Sequence, residues 1–215
     1  MKLLFFDEFR LGVVRDDEVV DVSAVVESGP HTGPHDLISR VIERFDEYRG
    51  ALESAAADGV GVPLAGVRIR PPLPRPTTIA CMAVNYMEDG TREEPAPINE
   101  FLKAPSAIIG DGDTMELPDV PASVFEGEAE LALVIGRRAQ GVSAAEAMDY
   151  VFGYTNFIDG SARGLHPGFY QMKSRDTFAP IGPYLVTADE IADPQHLQIQ
   201  LQSHHRRHHQ KRSRA

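Results

Sequence analysis

Three acids occupy alternate positions in the segment Phe125-Glu-Gly-Glu-Ala-Glu-Leu-Ala-Leu-Val-Ile-Gly136: Glu126, Glu128 and Glu130. The apolar run that follows, Leu131 to Ile135, reads as the end of a strand buried on both faces. On a strand, alternate side chains share a face and stand about 6.6 Å apart. Like charges held that way beside a core repel one another and lose hydration. A divalent cation among them removes both penalties, and hard oxygen donors suit Mg2+, Mn2+ or Ca2+. The alternative is an acidic strand end that lies in solvent, outside the core.

Four further groups have types that could do chemistry. Asp159 ends the apolar run Gly153–Ile158 and precedes Gly160, a place for a site acid or for an ordinary turn cap. Lys173 lies among aromatics and near acids in Phe169-Tyr-Gln-Met-Lys-Ser-Arg-Asp-Thr-Phe-Ala-Pro-Ile-Gly182. Its ammonium either polarises a substrate oxygen or stays in water with its stem over an apolar patch. Asn85-Tyr86 opens a long loop after a strand, where binding groups or a plain polar connection occur. His166 has no second histidine at ligand spacing and reads as a hydrogen-bonding residue rather than a metal ligand. The chain contains no Gly-x-Ser-x-Gly elbow, no phosphate-cradling Gly-x-x-x-x-Gly-Lys loop and no Cys/His zinc spacing.

These groups need a scaffold, and the chain has the material for one. It has 215 residues, 42% of them hydrophobic, enough for one large domain or for a small and a medium one. Its net charge of −11 argues against nucleic acid or an anionic membrane as main partner. A single cysteine, Cys81, permits no intrachain disulfide and suits a reducing cytoplasm. The start, Met1 to Phe6, is too short for a signal segment, and no apolar run approaches the ~20 residues of a membrane span.

Residues 1–70 read as a small α/β N-terminal domain. Leu3–Phe6, Leu11–Val14 and Val19–Val22 are short strands, with a turn at Arg15–Glu18. Leu37, Ile38, Val41, Ile42, Phe45, Tyr48 and Leu52 recur at helical spacing, predicting one helix over 36–57 with Asp36 as N-cap. Between Gly59 and Pro76 stand five prolines, which forbid helix and mark a boundary. Residues 71–202 then read as a second, catalytic domain rich in strands. Thr78–Ala83 reads as a buried strand, Ser106–Ile109 and Met115–Leu117 as strands flanking a turn, and Val151–Ile158 and Pro183–Thr187 as further strands. Ser143 and Glu146 form a capping box that opens a short helix to Tyr150. The class is α+β and β-rich.

The last thirteen residues, 203–215, hold five of the 21 Lys/Arg and four of the eight His. Without them the chain carries 16 basic against 32 acidic groups. The tail reads as a metal- or polyanion-binding arm, as a disordered end, or as an out-of-frame translation.

Taken in order, the segments Pro72-Leu-Pro-Arg-Pro76, Asn85-Tyr86, Phe101-Leu-Lys-Ala-Pro105, Glu128-Ala-Glu-Leu-Ala-Leu-Val-Ile-Gly136, Gly153-Tyr-Thr155 with Asp159, Ala162-Arg163 and Lys173-Ser-Arg-Asp-Thr-Phe-Ala-Pro-Ile-Gly-Pro183 resemble the fumarylacetoacetate hydrolase family. The resemblance covers about residues 1–201. It implies a mixed β-roll catalytic domain, usually dimeric, with Mg2+ or Mn2+ held by Glu128, Glu130 and Asp159, and Glu126 as a bystander. Lys173 then holds or polarises a small 1,3-dicarbonyl or 2-oxo acid, with Asn85, Tyr86, Arg163 and His166 as substrate contacts. The outcomes implied are C–C hydrolysis, isomerisation or decarboxylation. Two departures stand out. Hydrolytic members place a water-activating His where this chain has Asp89, a weak base at its unperturbed pKa of ~3.9. Members also continue past Leu201 with more strands and a Gly-Thr-Pro-x-Gly loop, so the basic tail implies a truncated or frameshifted member. A product of that kind would fold poorly, or only bind metal or a partner.

Overall fold

The computed structural model describes residues 1–86, 93–166 and 168–202. Strands β1 (Lys2–Phe6), β2 (Arg10–Arg15) and β3 (Glu18–Asp21) form the expected antiparallel meander. Its second turn puts Asp16 at φ 52°, a left-handed conformation that a short acid tolerates. Leu3, Phe5, Leu11, Val13 and Val20 face a core closed by helices α1 (Ser23–Val26), α2 (Pro34–Glu43) and α3 (Phe45–Asp58).

The single helix expected over 36–57 is two. It breaks at Arg44 (φ −120°, ψ 30°), whose carbonyl accepts from Glu47 N–H while its guanidinium pairs with the Glu47 carboxylate. A new helix starts there because Asp46 and Glu47 fall in its first turn, where the positive end of the helix dipole favours acids. Asp36 is not the N-cap. Gly33 is, with Pro34 in the first turn, and Asp36 reaches back to accept the Thr32 backbone N–H at 3.0 Å.

Strands β4 (Gly61–Pro63) and β5 (Ile69–Arg70) add to β3 and β1, and the proline run follows. Strands β6 (Ile79–Met82) and β7 (Glu100–Lys103) pair only with each other, so β6 alternates between half-buried and exposed instead of being buried throughout. The strands expected at 106–109 and 115–117 shrink to β8 (Ile108–Ile109). Met115–Leu117 forms none, because Glu116 N–H is taken by the Thr177 hydroxyl rather than by a neighbouring strand.

Two long strands dominate the rest: β9 (Val124–Ile135) and β10 (Val151–Arg163). The Ser143–Glu146 box between them forms, with Ser143 Oγ donating to Glu146 Oε2 at 2.6 Å, but it leads into a 3-10 turn at Ala147–Tyr150 rather than an α-helix. Helix α4 (Phe169–Lys173) and β11 (Ala179–Thr187) complete the described elements. Leu197–Leu201 is not a strand.

One mixed sheet runs β4-β3-β2-β1-β11-β10-β9, with β8 joining β11 in parallel and every other pair antiparallel. Leu3 lies opposite Leu185, so the first unit and the second share this sheet. The arrangement is the α+β, β-rich fold the sequence predicts. Among the described residues β9 is its edge, and that overturns the expected burial of Leu131–Ile135 on both faces. Val134 is buried, but Leu133 and Ile135, on the other face, are 47% and 56% exposed. No helix among the described residues is long and apolar enough to cross a membrane.

Candidate active site

The register of β9 against β10 builds the site. Glu126 lies opposite Ser161, Glu128 opposite Asp159 and Glu130 opposite Phe157. Directly paired residues of an antiparallel ladder share a face. One face therefore carries Glu126, Glu128, Glu130, Asp159, Ser161 and Arg163, while Phe157 packs with Ala107, Ala179 and Ile181 at its foot. On the opposite face β10 can come close to Phe178, just before β11, because residue 160 is glycine. A Cβ there would lie 2.9 Å from both the Phe178 carbonyl oxygen and Met115 Sδ.

Two lysines enter this face from outside the strand pair. Lys173, at the last position of α4, donates to Glu128 Oε2 and to Asp159 Oδ2. Lys103, from β7, donates to Asp159 Oδ1 at 2.6 Å and to the Gly160 carbonyl at 3.0 Å. Both lysines and Asp159 are buried. Arg163 spans the outer end, donating to Glu126 Oε2 and Glu128 Oε1, each at 2.8 Å. Ser161 Oγ donates to Glu128 Oε2 at 3.1 Å. At the inner end the Tyr86 hydroxyl accepts Leu131 N–H at 3.0 Å and stabilises the Glu130 carboxylate.

The carboxylates differ in electrostatics. Burial works to raise Glu128, but Lys173, Arg163 and Ser161 outweigh it and hold the carboxyl below its usual range. Glu130 lacks such partners. Burial first, and then the negative charges of Asp159 and Glu128, push it up to about 7 against the opposing Tyr86 bond. Burial pushes Lys103 down, with Asp159 opposing.

The structure thus brings Glu128, Glu130, Asp159, Lys173, Arg163 and Tyr86 together. Asn85 and His166 are exposed, and among the described residues no hydrogen bond links either to the cluster. Asp89 lies outside the described residues. Sequence reasoning assigned no role to Lys103 or Ser161. Lys103 stands two residues after Phe101 and so shares its face of β7, but that this face is the inward one is a fact of the structure and not of the sequence.

The fumarylacetoacetate (FAA) hydrolase C-terminal family model matches residues 78–215. The chain belongs to this family. It is 33% identical to a maleylpyruvate hydrolase of Aquipseudomonas alcaligenes over 94% of its own length and 75% of that protein's. To a mitochondrial oxaloacetate tautomerase of Bos taurus it is 35% identical, over 84% of this chain but 59% of that one. Among solved structures, the maleylpyruvate hydrolase of Sphingobium sp. SYK-6, in complex with manganese(II) ion and pyruvate, superposes with a TM-score of 0.80 at 38% identity. That match covers 90% of this chain and 70% of the other. A 5-carboxymethyl-2-hydroxymuconate delta-isomerase of Mycobacterium smegmatis matches at 27% identity and a TM-score of 0.62, over 87% of this chain and 67% of that one.

The donor chemistry fits a divalent cation: three oxygen-donating side chains share a face, and Glu130 is destabilised as an anion by its own neighbours. As the side chains stand, no group of three among the described residues closes tightly enough to hold an ion. The Lys173 ammonium lies between Glu128 and Asp159, and an ion held by both requires it to yield that position.

Proposed function

We propose that this chain is a divalent-metal-dependent hydrolase that cleaves a C–C bond in a small 1,3-dicarbonyl or 2-oxo acid of the acylpyruvate type. The observation that carries this reading is the buried Lys173 ammonium set against Glu128 and Asp159, on a face that also holds Glu130. Glu128, Glu130 and Asp159 would hold Mg2+, Mn2+ or Ca2+. When bound, such an ion supplies Lewis-acid polarisation of substrate oxygens.

The remaining roles belong to the chain's own groups. Lys173 is 3% exposed, so its charge acts in a poorly screened environment. It stabilises the negative charge that develops on an enolate oxygen as the C–C bond breaks. Arg163, at the open end of the row, is a fixed cation for a substrate carboxylate. Tyr86 orients Glu130, and Asn85 and His166 line the approach as polar contacts. Asp89 takes the proton of the attacking water. That water adds to the keto carbon, the C–C electron pair leaves as the pyruvate enolate, and a proton completes it. The likeness to two maleylpyruvate hydrolases supports this reaction class. The same reading includes a homodimer in a reducing cytoplasm.

A second reaction at the same face, isomerisation, tautomerisation or decarboxylation of a 2-oxo acid, needs no water activation. Asp89 in place of histidine favours it, and so does the 35% identity to an oxaloacetate tautomerase. Assaying acylpyruvates and oxaloacetate side by side, with and without Mg2+ or Mn2+, decides. Metal-dependent cleavage of the acylpyruvate supports the hydrolase. Metal-dependent keto–enol exchange or decarboxylation of oxaloacetate, without acylpyruvate cleavage, replaces it by the second reading. A chain inert to both substrates with metal present refutes both.

A further inference from the structure

The run Phe101-Leu-Lys103 on β7 has no task in the reaction above. Its side chains alternate, with Phe101 and Lys103 buried and Glu100 and Leu102 exposed. Lys103 is 2% exposed. A buried ammonium is costly unless it is paired and hydrogen-bonded. Lys103 finds its partners at one point of β10: Asp159 Oδ1 at 2.6 Å and the Gly160 carbonyl at 3.0 Å. That peptide is itself fixed, because Gly160 N–H donates to the Phe178 carbonyl at 2.9 Å and a Cβ at residue 160 has no room.

Asp159 is therefore gripped from two sides. Lys103 takes Oδ1, which leaves Oδ2 for the side where Lys173 and Glu128 meet. The same strand steadies Lys173. The Phe101 ring stacks on Phe169 of α4, with centroids 4.8 Å apart and planes at 15°, and lies 5.3 Å from Lys173 Nζ. Ser174 Oγ, just past α4, donates to the Leu102 carbonyl at 2.7 Å.

We infer that Lys103 is a positioning residue, which locks the Asp159 carboxylate so that Oδ2 alone is presented on the Glu128 side; the inference rests on the metal-site reading above. Its opposite is well defined. If Lys103 acted only through its charge, it would repel a cation bound beside Asp159, and removing it would tighten binding. If it acts as a lock, removing it loosens the ligand and weakens binding. The two roles predict opposite signs.

Calorimetric titration of the purified chain with Mn2+ alone reads that sign. Loss of an outer hydrogen-bond partner of a metal ligand typically costs 10- to 100-fold in affinity, so Lys103→Met is expected to weaken Mn2+ binding by about that factor. Lys103→Gln has no charge but keeps a donor, and is expected to fall between Lys103→Met and wild type. It also stands in should the Met variant fail to fold, which circular dichroism reports. Either variant binding Mn2+ as tightly as the wild type, or more tightly, overturns the lock. A folded wild-type chain with no Mn2+ signal overturns the metal-site reading, and the lock with it.

Discussion

Asp159→Asn removes one negative charge and leaves the side chain's shape almost unchanged. In the wild-type chain that charge faces two ammoniums, and the Lys103 and Lys173 side chains are 0% and 4% exposed. Lys173 keeps Glu128 as a partner in the variant. Lys103 keeps neutral acceptors, the Gly160 carbonyl and the amide oxygen of the new asparagine, but no counter-charge. One buried charge is left uncompensated rather than two, and breaking a buried pair by removing one partner costs roughly 3–5 kcal/mol. For a chain of 215 residues, each kcal/mol moves the melting point by roughly 2–4 °C, so the variant is expected to melt about 6–20 °C lower.

The loss also carries a pH signature. Burial already lowers the Lys103 pKa from 10.5, and Asp159 is the first group that opposes the shift. Without Asp159 the folded-state pKa falls further below the unfolded value. A depressed folded pKa makes the unfolded chain the better proton binder, so stability is lost as pH falls through the folded pKa and regained as pH climbs toward the unfolded one. The slope is at most about 1.4 kcal/mol per pH unit for this one group. Urea unfolding of wild type and Asp159→Asn at pH 7 and pH 9, followed by circular dichroism with equal m-values, measures both quantities. A loss below about 1 kcal/mol at pH 7, or a gap between the two proteins that does not narrow at pH 9, refutes the buried-pair argument.

Other expectations follow from the same geometry. Glu128→Ala is expected to abolish divalent-ion binding and turnover together, whereas Glu126→Ala, which removes a carboxylate hydrogen-bonded by Arg163 alone among the described residues, leaves Mn2+ affinity within about threefold. Titration and steady-state assays of the two variants check this. Dialysis against EDTA is expected to remove turnover and added Mn2+ to restore it; turnover that survives exhaustive chelation contradicts the proposed function. Burial first, and then Asp159, push the Cys81 thiol up to about 12 from 9.0, so its thiolate at pH 8 is about a thousandfold scarcer than in the unfolded chain. Iodoacetamide should label it slowly in the native protein and rapidly in concentrated urea, and equal rates would contradict its burial. Asp36→Ala removes the acceptor of Thr32 N–H and is expected to cost about 1 kcal/mol in urea unfolding.

What the sequence discloses and what it withholds divide along physical lines. Period-two spacing is a local property of a strand, so the shared face of Glu126, Glu128 and Glu130 was legible, as were β1 to β3 and the first half of β10. The turn expected at Asp159 is instead continuous strand to Arg163, because the residues from Asp159 onward pair with Glu128 to Val124 of β9. Pairing is not local. That Glu128 lies opposite Asp159 depends on how the fifteen-residue connection between β9 and β10, with its 3-10 turn at Ala147–Tyr150, returns the chain, and no single segment encodes that. Burial is not local either. Leu131–Ile135 has the composition of a doubly covered strand, yet β9 stands at the sheet edge among the described residues and exposes Leu133 and Ile135. The helix over 36–57 kept its apolar spacing and still broke, because the first-turn acids Asp46 and Glu47 and the Arg44–Glu47 pair offer a new start that periodicity does not weigh.

Lys103 is the instructive miss. A lysine after an apolar pair reads, by composition, as a surface residue at the end of a strand. Its burial becomes intelligible only through Asp159 and the Gly160 carbonyl, which lie 56 and 57 residues away. An interior ammonium is stabilised by partners rather than by its own type, so the evidence for it resides in those partners and in their distance along the chain. The acids announced themselves by repeating. The cation that fixes one of them had no repeat through which to be seen, and tertiary contact was the first observable that carried it.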